Sequence, residues 1–252
     1  MAAVHISLAA EQIANVAGWP ITNAMLTGII GSLAIVTLFW LAAVRIKVQP
    51  GGRLALTIES THEAILDLVQ DVTGDRDKAR QLFPLLMTFF VFILMNNWLG
   101  ILPGVGSLLV YTPHGTFPLL RGANADLNTT LALALISVVM THVYAIKKLG
   151  VFKHMKKYFH LNPIMMFVGL LELVQEFSKV ISFAFRLFGN IFAGEVLLVV
   201  IGFLVPFLGP VPFFALEIFV GFIQALVFTI LTLVFIEIAT AQHEEAGATT
   251  NH

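Results

Sequence analysis

The chain has 252 residues, of which 58% are hydrophobic and 12% are charged, and its mean hydropathy is +0.91. Soluble domains carry about 25% charged residues, so this composition predicts a protein that crosses a membrane several times. The net charge of −1 argues against nucleic-acid binding through a basic surface. Because the chain has no cysteine, disulfides, thiol catalysis and cysteine-ligated metals are excluded.

Five segments are long and apolar enough to span a bilayer as helices, which takes about 20 residues each. They run from 23 to 44, 82 to 102, 129 to 146, 164 to 204 and 211 to 241. At ~1.5 Å per residue the fourth would measure ~60 Å, twice the ~30 Å hydrocarbon core. The last two helices are therefore expected to tilt, kink or run partly along the membrane. We expect an all-α protein with one membrane domain and an outer N-terminal segment at 1–22.

The basic residues predict the orientation of these helices. Eleven of the 14 Lys and Arg residues lie between spans one and two or between spans three and four. By the positive-inside rule these two connections are cytoplasmic. The N-terminus is then outside and the C-terminus inside.

The segment 54–75, between spans one and two, has an amphipathic pattern. Its apolar side consists of Ile58, Ile65, Leu66, Val69 and Val72, and acidic residues occupy the other side. We interpret it as a helix on the cytoplasmic membrane surface. Packing of the same face against the helix bundle is the alternative.

Polar residues form a stripe along the fourth span. Steps of three or four residues place them on one helix face. They are Glu172, Gln175, Glu176, Lys179, Ser182, Arg186 and Asn190. A charge at the centre of a membrane helix costs about 2.5–3.5 kcal/mol, so Arg186 points to a function. Three alternatives stand beside a function for the stripe: snorkelling of Lys179, pairing of Glu172 and Glu176 with Lys179 at the interface, and a structural Arg–Glu pair.

Two further carboxylates lie past this stripe. Glu195 follows Arg186 by nine residues, half a turn out of phase, while Glu217 and Gln224 share one face of the fifth span. If a turn at 209–210 makes an antiparallel hairpin, the two carboxylates lie at similar depth toward the outside. Gln224 can then approach Arg186, or it can form an ordinary hydrogen bond between helices. The residues predict an ion-conducting protein with a proton path through spans four and five.

Other chemistry has no signature in the sequence. No GxxxxGK[ST] loop or GxGxxG turn is present, so no nucleotide site and no cofactor is expected. His142 stands alone in the third span, and no histidine pair has the spacing of a metal site.

Several motifs resemble subunit a of the F-type ATP synthases. They are RLFGNIFAGE, the preceding ELVQEFSKVISFAF and the following GFIQALVFTILTLVFI, with FILMNNWLGILPG and NADLNTTLALAL in spans two and three. The resemblance implies a stator subunit that couples proton flow to rotation. Its partners would be the c-subunit ring, the peripheral-stalk b subunit and the lipid membrane. The chain would then be a part of an enzyme without its own nucleotide site, most naturally in a bacterial inner membrane rather than an organelle.

The resemblance also assigns roles to residues. Arg186 would face the ring, where a guanidinium that cannot deprotonate forces each passing carboxylate to ionise. At ~4 Å and an effective dielectric of ~20 such a pair gains about 4 kcal/mol. Arg186 would also bar a direct leak between two offset half-channels. Gln224 would pair with Arg186 or steady it.

The half-channels follow from the same resemblance. Glu195 and Glu217 would line the outer one, near Asn190, and could share a proton as a coupled pair. The family often has His at one of these two positions, where this chain has Glu at both. Ser182, Glu176 and Glu172 would lead to the cytoplasm, and Asp126 and Asn128 are candidates for the outer entrance. A self-contained transporter or channel is the alternative, which inverted repeats or broken helices would favour; a purely structural anchor is the third.

Overall fold

A computed structural model describes residues 9–16, 18–48, 53–102, 105, 108–112, 115–156, 158, 163–206 and 208–241. The elements are, in order, β1 (Gln12–Val16), β2 (Trp19–Thr22), α1 (Asn23–Val48), α2 (Arg53–Thr73), α3 (Arg76–Ile101), β3 (Leu109–Thr112), β4 (Gly115–Pro118), a 3₁₀ turn (Ala123–Ala125), α4 (Leu127–Leu149), α5 (Val151–Lys156), α6 (Pro163–Leu204) and α7 (Pro210–Ala241). The strands pair as two antiparallel hairpins, β1 with β2 and β3 with β4. Much of the predicted outer segment, residues 1–8 and 17, lies outside the described residues.

Among the described residues, five helices are long and apolar enough to cross a membrane: α1, α3, α4, α6 and α7. They coincide with the five predicted spans, so the all-α membrane fold is confirmed. The largest difference in a boundary is at α3, which begins six residues before the predicted span. Asp75 caps this helix, because its side chain accepts a hydrogen bond from the backbone N–H of Asp77 at 2.8 Å.

The last two helices form the predicted hairpin. A short turn after α6 is closed by hydrogen bonds from Val205 N to Ile201 O at 2.8 Å and from Gly209 N to Val205 O at 3.2 Å. The two helices then pack side by side, and the rings of Phe183 and Phe228 stack with their centroids 4.8 Å apart. This pairing sets which residues of α6 and α7 meet.

The core lies between α3, α4, α6 and α7. Leu86, Ile93, Leu187 and Leu233 are fully buried there, whereas apolar side chains on the outer faces stay exposed, as expected where a helix meets lipid. Polar contacts also join these helices. For example, the hydroxyls of Ser137 on α4 and Thr232 on α7 are 2.8 Å apart.

The helix α2 covers most of the amphipathic segment predicted at 54–75. Ile65, Leu66 and Val69 are buried in the same cluster as the apolar residues of α3, while Val72 is exposed. The side chain of Ile58 lies outside the described residues. Packing against the bundle therefore accounts for the centre of this apolar face. Its position on the membrane surface stays a prediction.

Candidate functional site

Arg186 lies on an exposed part of α6 near the middle of the helix. Its Nη2 donates a hydrogen bond to Ser182 Oγ one turn earlier, at 3.2 Å, and its guanidinium carbon is 5.9 Å from the centroid of the Phe183 ring. Both contacts lie on the N-terminal side of Arg186, so they direct its guanidinium toward the earlier residues of the stripe.

The predicted stripe borders a groove of about 300 Å³, called here the stripe groove. It is lined by Gln175, Ser178, Lys179, Ser182, Phe183, Arg186 and Phe235. The structure therefore brings Ser182 and Arg186 to one open cavity between α6 and the end of α7.

One turn past Arg186, a hydrogen bond joins α6 to α7. Asn190 Nδ2 donates to Gln224 Oε1 at 2.6 Å, and Gln224 is buried. The sequence favoured Gln224 as a partner of Arg186, but its hydrogen bond goes to Asn190. The helix rotation explains this, because Arg186 turns to the exposed side and bonds to Ser182.

A second cavity of about 410 Å³, called here the carboxylate cavity, lies beyond this contact. It is lined by Asn97, Gly100, Ile101, Leu102, Val105, Pro118, Leu120, Arg121, Gly122, Ala125, Ile191, Glu195, Leu198, Val199, Phe214 and Glu217. Glu195 from α6 and Glu217 from α7 thus line the same space, as the hairpin predicted.

Arg121 is part of this cavity, and sequence reasoning missed it. Its Nε lies 3.3 Å from Glu195 Oε2, and its Nη1 donates to the carbonyl of Ala9 at 3.0 Å. The Arg121 side chain is 6% exposed and that of Glu195 is 41% exposed, so the glutamate connects a buried guanidinium to the open cavity. The sequence did carry a signal for this residue, because Arg121 is the one Lys or Arg between the second and third spans.

Glu217 packs against Gly194. A methyl group built on Gly194 would overlap the carboxylate of Glu217, which is 7% exposed. A larger residue at 194 would therefore have to displace the Glu217 carboxylate. The position of the Glu217 carboxylate depends on the bare backbone opposite it.

Buried amides hold the wall of the carboxylate cavity. Asn124 Nδ2 donates to Asn97 Oδ1 at 2.7 Å, and Asn97 Nδ2 donates to the carbonyl of Gly221 at 3.0 Å. This network ties the 3₁₀ turn to α3 and α7. It fixes the segment that carries Arg121.

Asp126 and Asn128, the candidates for the outer entrance, are hydrogen-bonded to each other at the start of α4. Asp126 is buried and caps α4, with Oδ1 accepting from the backbone N–H of Asn128 at 3.3 Å and from its Nδ2 at 3.2 Å. Capping accounts for these bonds, and a role at an entrance stays a prediction.

The opposite end of the stripe holds a cluster of ionisable side chains. Glu176 Oε1 accepts from Lys179 Nζ at 2.8 Å, and Glu176 Oε2 lies 3.6 Å from His142 Nε2. His142 Nδ1 is 3.1 Å from His154 Nε2. The expectation that His142 stands alone is therefore wrong, because α5 folds back and brings His154 to it.

Two other groups border this cluster. Glu172, one turn before Glu176, is half-buried. Burial raises the pKa of Tyr158 to about 12, and the negative charges of Glu176 and then Glu172 add to the increase. The Tyr158 hydroxyl therefore keeps its proton at neutral pH. Among the described residues no group of three or more His, Asp or Glu could hold a metal ion.

The chain is similar to known proteins over most of its length. A family model described as ATP synthase A chain matches residues 25–237. Proteins named ATP synthase subunit a are similar to it: one from Gloeobacter violaceus is 34% identical, over 88% of this chain and 85% of the relative. One from Mycobacterium bovis is 37% identical, over 87% of this chain and 86% of the relative. One from Campylobacter jejuni is 32% identical, over 86% of this chain and 89% of the relative. The range matched by the family model contains every residue that lines either cavity.

Proposed function

The chain belongs to the ATP synthase A chain family, and on that premise we propose that the stripe groove and the carboxylate cavity are the half-channels of a proton path interrupted at Arg186. The chain is a multi-pass membrane protein with the subunit a role in ATP synthesis and proton transport. The observation that supports the half-channels is that the two cavities share no lining residue. They lie on either side of the contact between Asn190 and Gln224.

The separation along α6 suits two offset paths. Ser182 and Glu195 are 13 residues apart, or ~20 Å at ~1.5 Å per residue. Between them the helix is packed by the buried Leu187, Phe188 and Ile191. Water that reaches one cavity would not reach the other through this packing.

In the outer half-channel Glu195 and Glu217 would relay protons from the outer surface toward the ring. Arg121 would keep the Glu195 carboxylate in place through the ion pair at 3.3 Å. Glu217 would be kept in place by its packing against Gly194. If water or side-chain motion brings the two carboxylates into interaction, they would act as a coupled pair whose protons come off in shared steps.

Arg186 would act on a carboxylate of each c subunit as the ring turns. The α6 face beside it is apolar and uncovered, with Phe177 68% exposed, Phe185 56% and Val174 52%. This face suits contact with other membrane helices. A permanent positive charge there would favour ionisation of the passing carboxylate by about 4 kcal/mol at ~4 Å and would repel a free proton.

The stripe groove, which Ser182 lines, would then begin the path to the cytoplasm, and Glu176 and Glu172 would continue it. This direction agrees with the orientation from basic residues, N-terminus outside and C-terminus inside. The b subunit and a bacterial inner membrane complete the proposal. A self-contained transporter is less consistent with α6 and α7, which are unbroken over Pro163–Leu204 and Pro210–Ala241.

The test is Arg186→Ala in the complete complex, reconstituted in vesicles. Proton-driven ATP synthesis should be abolished while the c-ring and b subunit still co-purify. The matched control is Arg80→Ala, which removes an exposed arginine on α3 and should leave synthesis unchanged. Near-normal synthesis by Arg186→Ala would refute the proposal.

A further inference from the structure

The ionisable cluster, which Lys179 links to the stripe groove, connects three separate elements. Glu176 comes from α6, His142 from α4 and His154 from α5, and each is within 3.6 Å of the next. Neither histidine belongs to the stripe or to the motifs that identify the family. A role for His142 would therefore extend the proton path.

Each oxygen of Glu176 has its own partner. Oε1 accepts from Lys179 at 2.8 Å, and Oε2 faces His142 Nε2 at 3.6 Å. Lys179 thus holds the carboxylate in place while Oε2 stays available for exchange with the imidazole. Imidazole is the side chain whose charge ordinarily changes between pH 5 and 8, so it can both accept and release a proton near neutral pH.

Exposure separates the two histidines. His142 is 29% exposed, Glu176 is 17% exposed and His154 is 5% exposed. A proton on Glu176 therefore leaves the packed helices most directly through His142. His154 is better suited to orient the ring, because the tautomer of His142 that donates from Nδ1–H to His154 Nε2 leaves its own Nε2 as an acceptor facing Glu176.

We propose that His142 transfers protons between Glu176 and water at the mouth of the stripe groove, with His154 as a positioning residue; this rests on the proposed function. Nε2 of neutral His142 takes a proton from the carboxyl group of Glu176. The imidazolium then gives the proton on Nε2 to a water molecule and returns to the neutral form, with Nδ1–H still bonded to His154. During ATP hydrolysis the same steps run in reverse.

The other groups around His142 suit this role. On α6, Lys179 and Glu172 lie one turn to either side of Glu176. After α5, the backbone of Tyr158 passes close to α6, where a methyl group on Gly169 would be 2.5 Å from its carbonyl oxygen. The Tyr158 ring packs edge-on against His154, with centroids 5.8 Å apart. Because its hydroxyl stays protonated at neutral pH, Tyr158 packs against the cluster and does not accept the proton that Glu176 gives to His142.

The experiment measures passive proton conduction through the membrane sector in vesicles, with the catalytic sector removed and with little buffer on the cytoplasmic side. His142→Gln should conduct about tenfold more slowly. This is below the 10²–10⁴-fold effect of a lost acid–base group, because water can still reach Glu176. Added free imidazole should restore the rate, as a mobile proton carrier would. His154→Leu should show a smaller loss that imidazole also restores.

The matched control is His62→Gln, which changes an exposed histidine on α2 outside the cluster. It should conduct at the wild-type rate with or without imidazole. A second variant, His142→Asn, repeats the test if the glutamine variant does not assemble. Wild-type conduction by the His142 variants, or slow conduction that imidazole does not change, would overturn the relay.

The two proposals fail in different ways. If Arg186→Ala abolishes synthesis while His142→Gln conducts normally, only the relay is wrong. If Arg186→Ala synthesises ATP normally, the half-channel proposal is wrong whatever the histidine variants do.

Discussion

Gly194→Ala is expected to displace the carboxylate of Glu217 and so slow proton transfer. The added methyl group would occupy the space of that carboxylate. Glu217 is 7% exposed, so its side chain cannot move freely into solvent. It would have to leave its rotamer, or α6 and α7 would have to separate.

The cost of overpacking a core, about 1–3 kcal/mol, sets an upper range, because the displaced atoms are the end of a flexible side chain. If the whole cost appears in the barrier to proton transfer, the rate falls by about 5- to 150-fold, since 1.4 kcal/mol is a factor of ten. The assay is proton-driven ATP synthesis in reconstituted vesicles, with the amount of assembled complex measured in parallel.

The same helix offers a matched control. A methyl group on Gly189 would meet nothing within 4 Å, so Gly189→Ala should retain synthesis near the wild-type rate. A compensating change should also exist. Glu217→Asp shortens the side chain by one methylene and makes room for the methyl group, so Gly194→Ala with Glu217→Asp should be faster than Gly194→Ala alone.

Two results would refute this reasoning. Normal synthesis by Gly194→Ala would mean that the position of the Glu217 carboxylate is not critical. Equal losses in Gly194→Ala and Gly189→Ala would point to the helix backbone rather than to Glu217.

Three other predictions concern the contacts around the two cavities. Asn190→Ala and Gln224→Ala should lose ATP synthesis non-additively, with a coupling of about 0.5–1.5 kcal/mol for their hydrogen bond; additive losses would show that the contact is unimportant. Glu195→Gln with Glu217→Gln should cut proton flux far more than either alone, and additive losses would argue against a shared proton. Arg121→Met should lower the free energy of unfolding of the purified complex by about 1–2 kcal/mol, measured by thermal denaturation. The Coulomb attraction at 3.3 Å and a dielectric of ~20 sets an upper limit of ~5 kcal/mol. The expected loss is smaller because Glu195 is partly exposed to solvent. Arg121→Lys should lose less, and an equally stable Met variant would contradict this.

The membrane helices could be predicted from the sequence because each span is a long apolar run with its own composition signal. The hairpin of α6 and α7 followed from the Gly–Pro turn, which is why Glu195 and Glu217 were expected at one level. Four residues of the predicted stripe (Gln175, Lys179, Ser182 and Arg186) also line one groove, because steps of three and four residues need only a continuous helix.

The contacts between distant segments could not be predicted in the same way. Arg121 and Glu195 are 74 residues apart, and no spacing rule relates a loop residue to a helix residue at that distance. The His142–His154 contact depends on how α5 folds back, which the short basic connection does not reveal. The partner of Gln224 depended on the rotation of α6, which decides whether Arg186 or Asn190 faces α7.

The half-channel proposal is tested most directly by labelling single cysteines, since the wild-type chain contains none. Glu217→Cys in the carboxylate cavity and Ser182→Cys in the stripe groove would each be exposed to a membrane-impermeant thiol reagent from either side of the vesicle. The account predicts that Glu217→Cys reacts from the outer side alone and Ser182→Cys from the cytoplasmic side alone. Reaction of both from the same side would contradict two half-channels separated at Arg186.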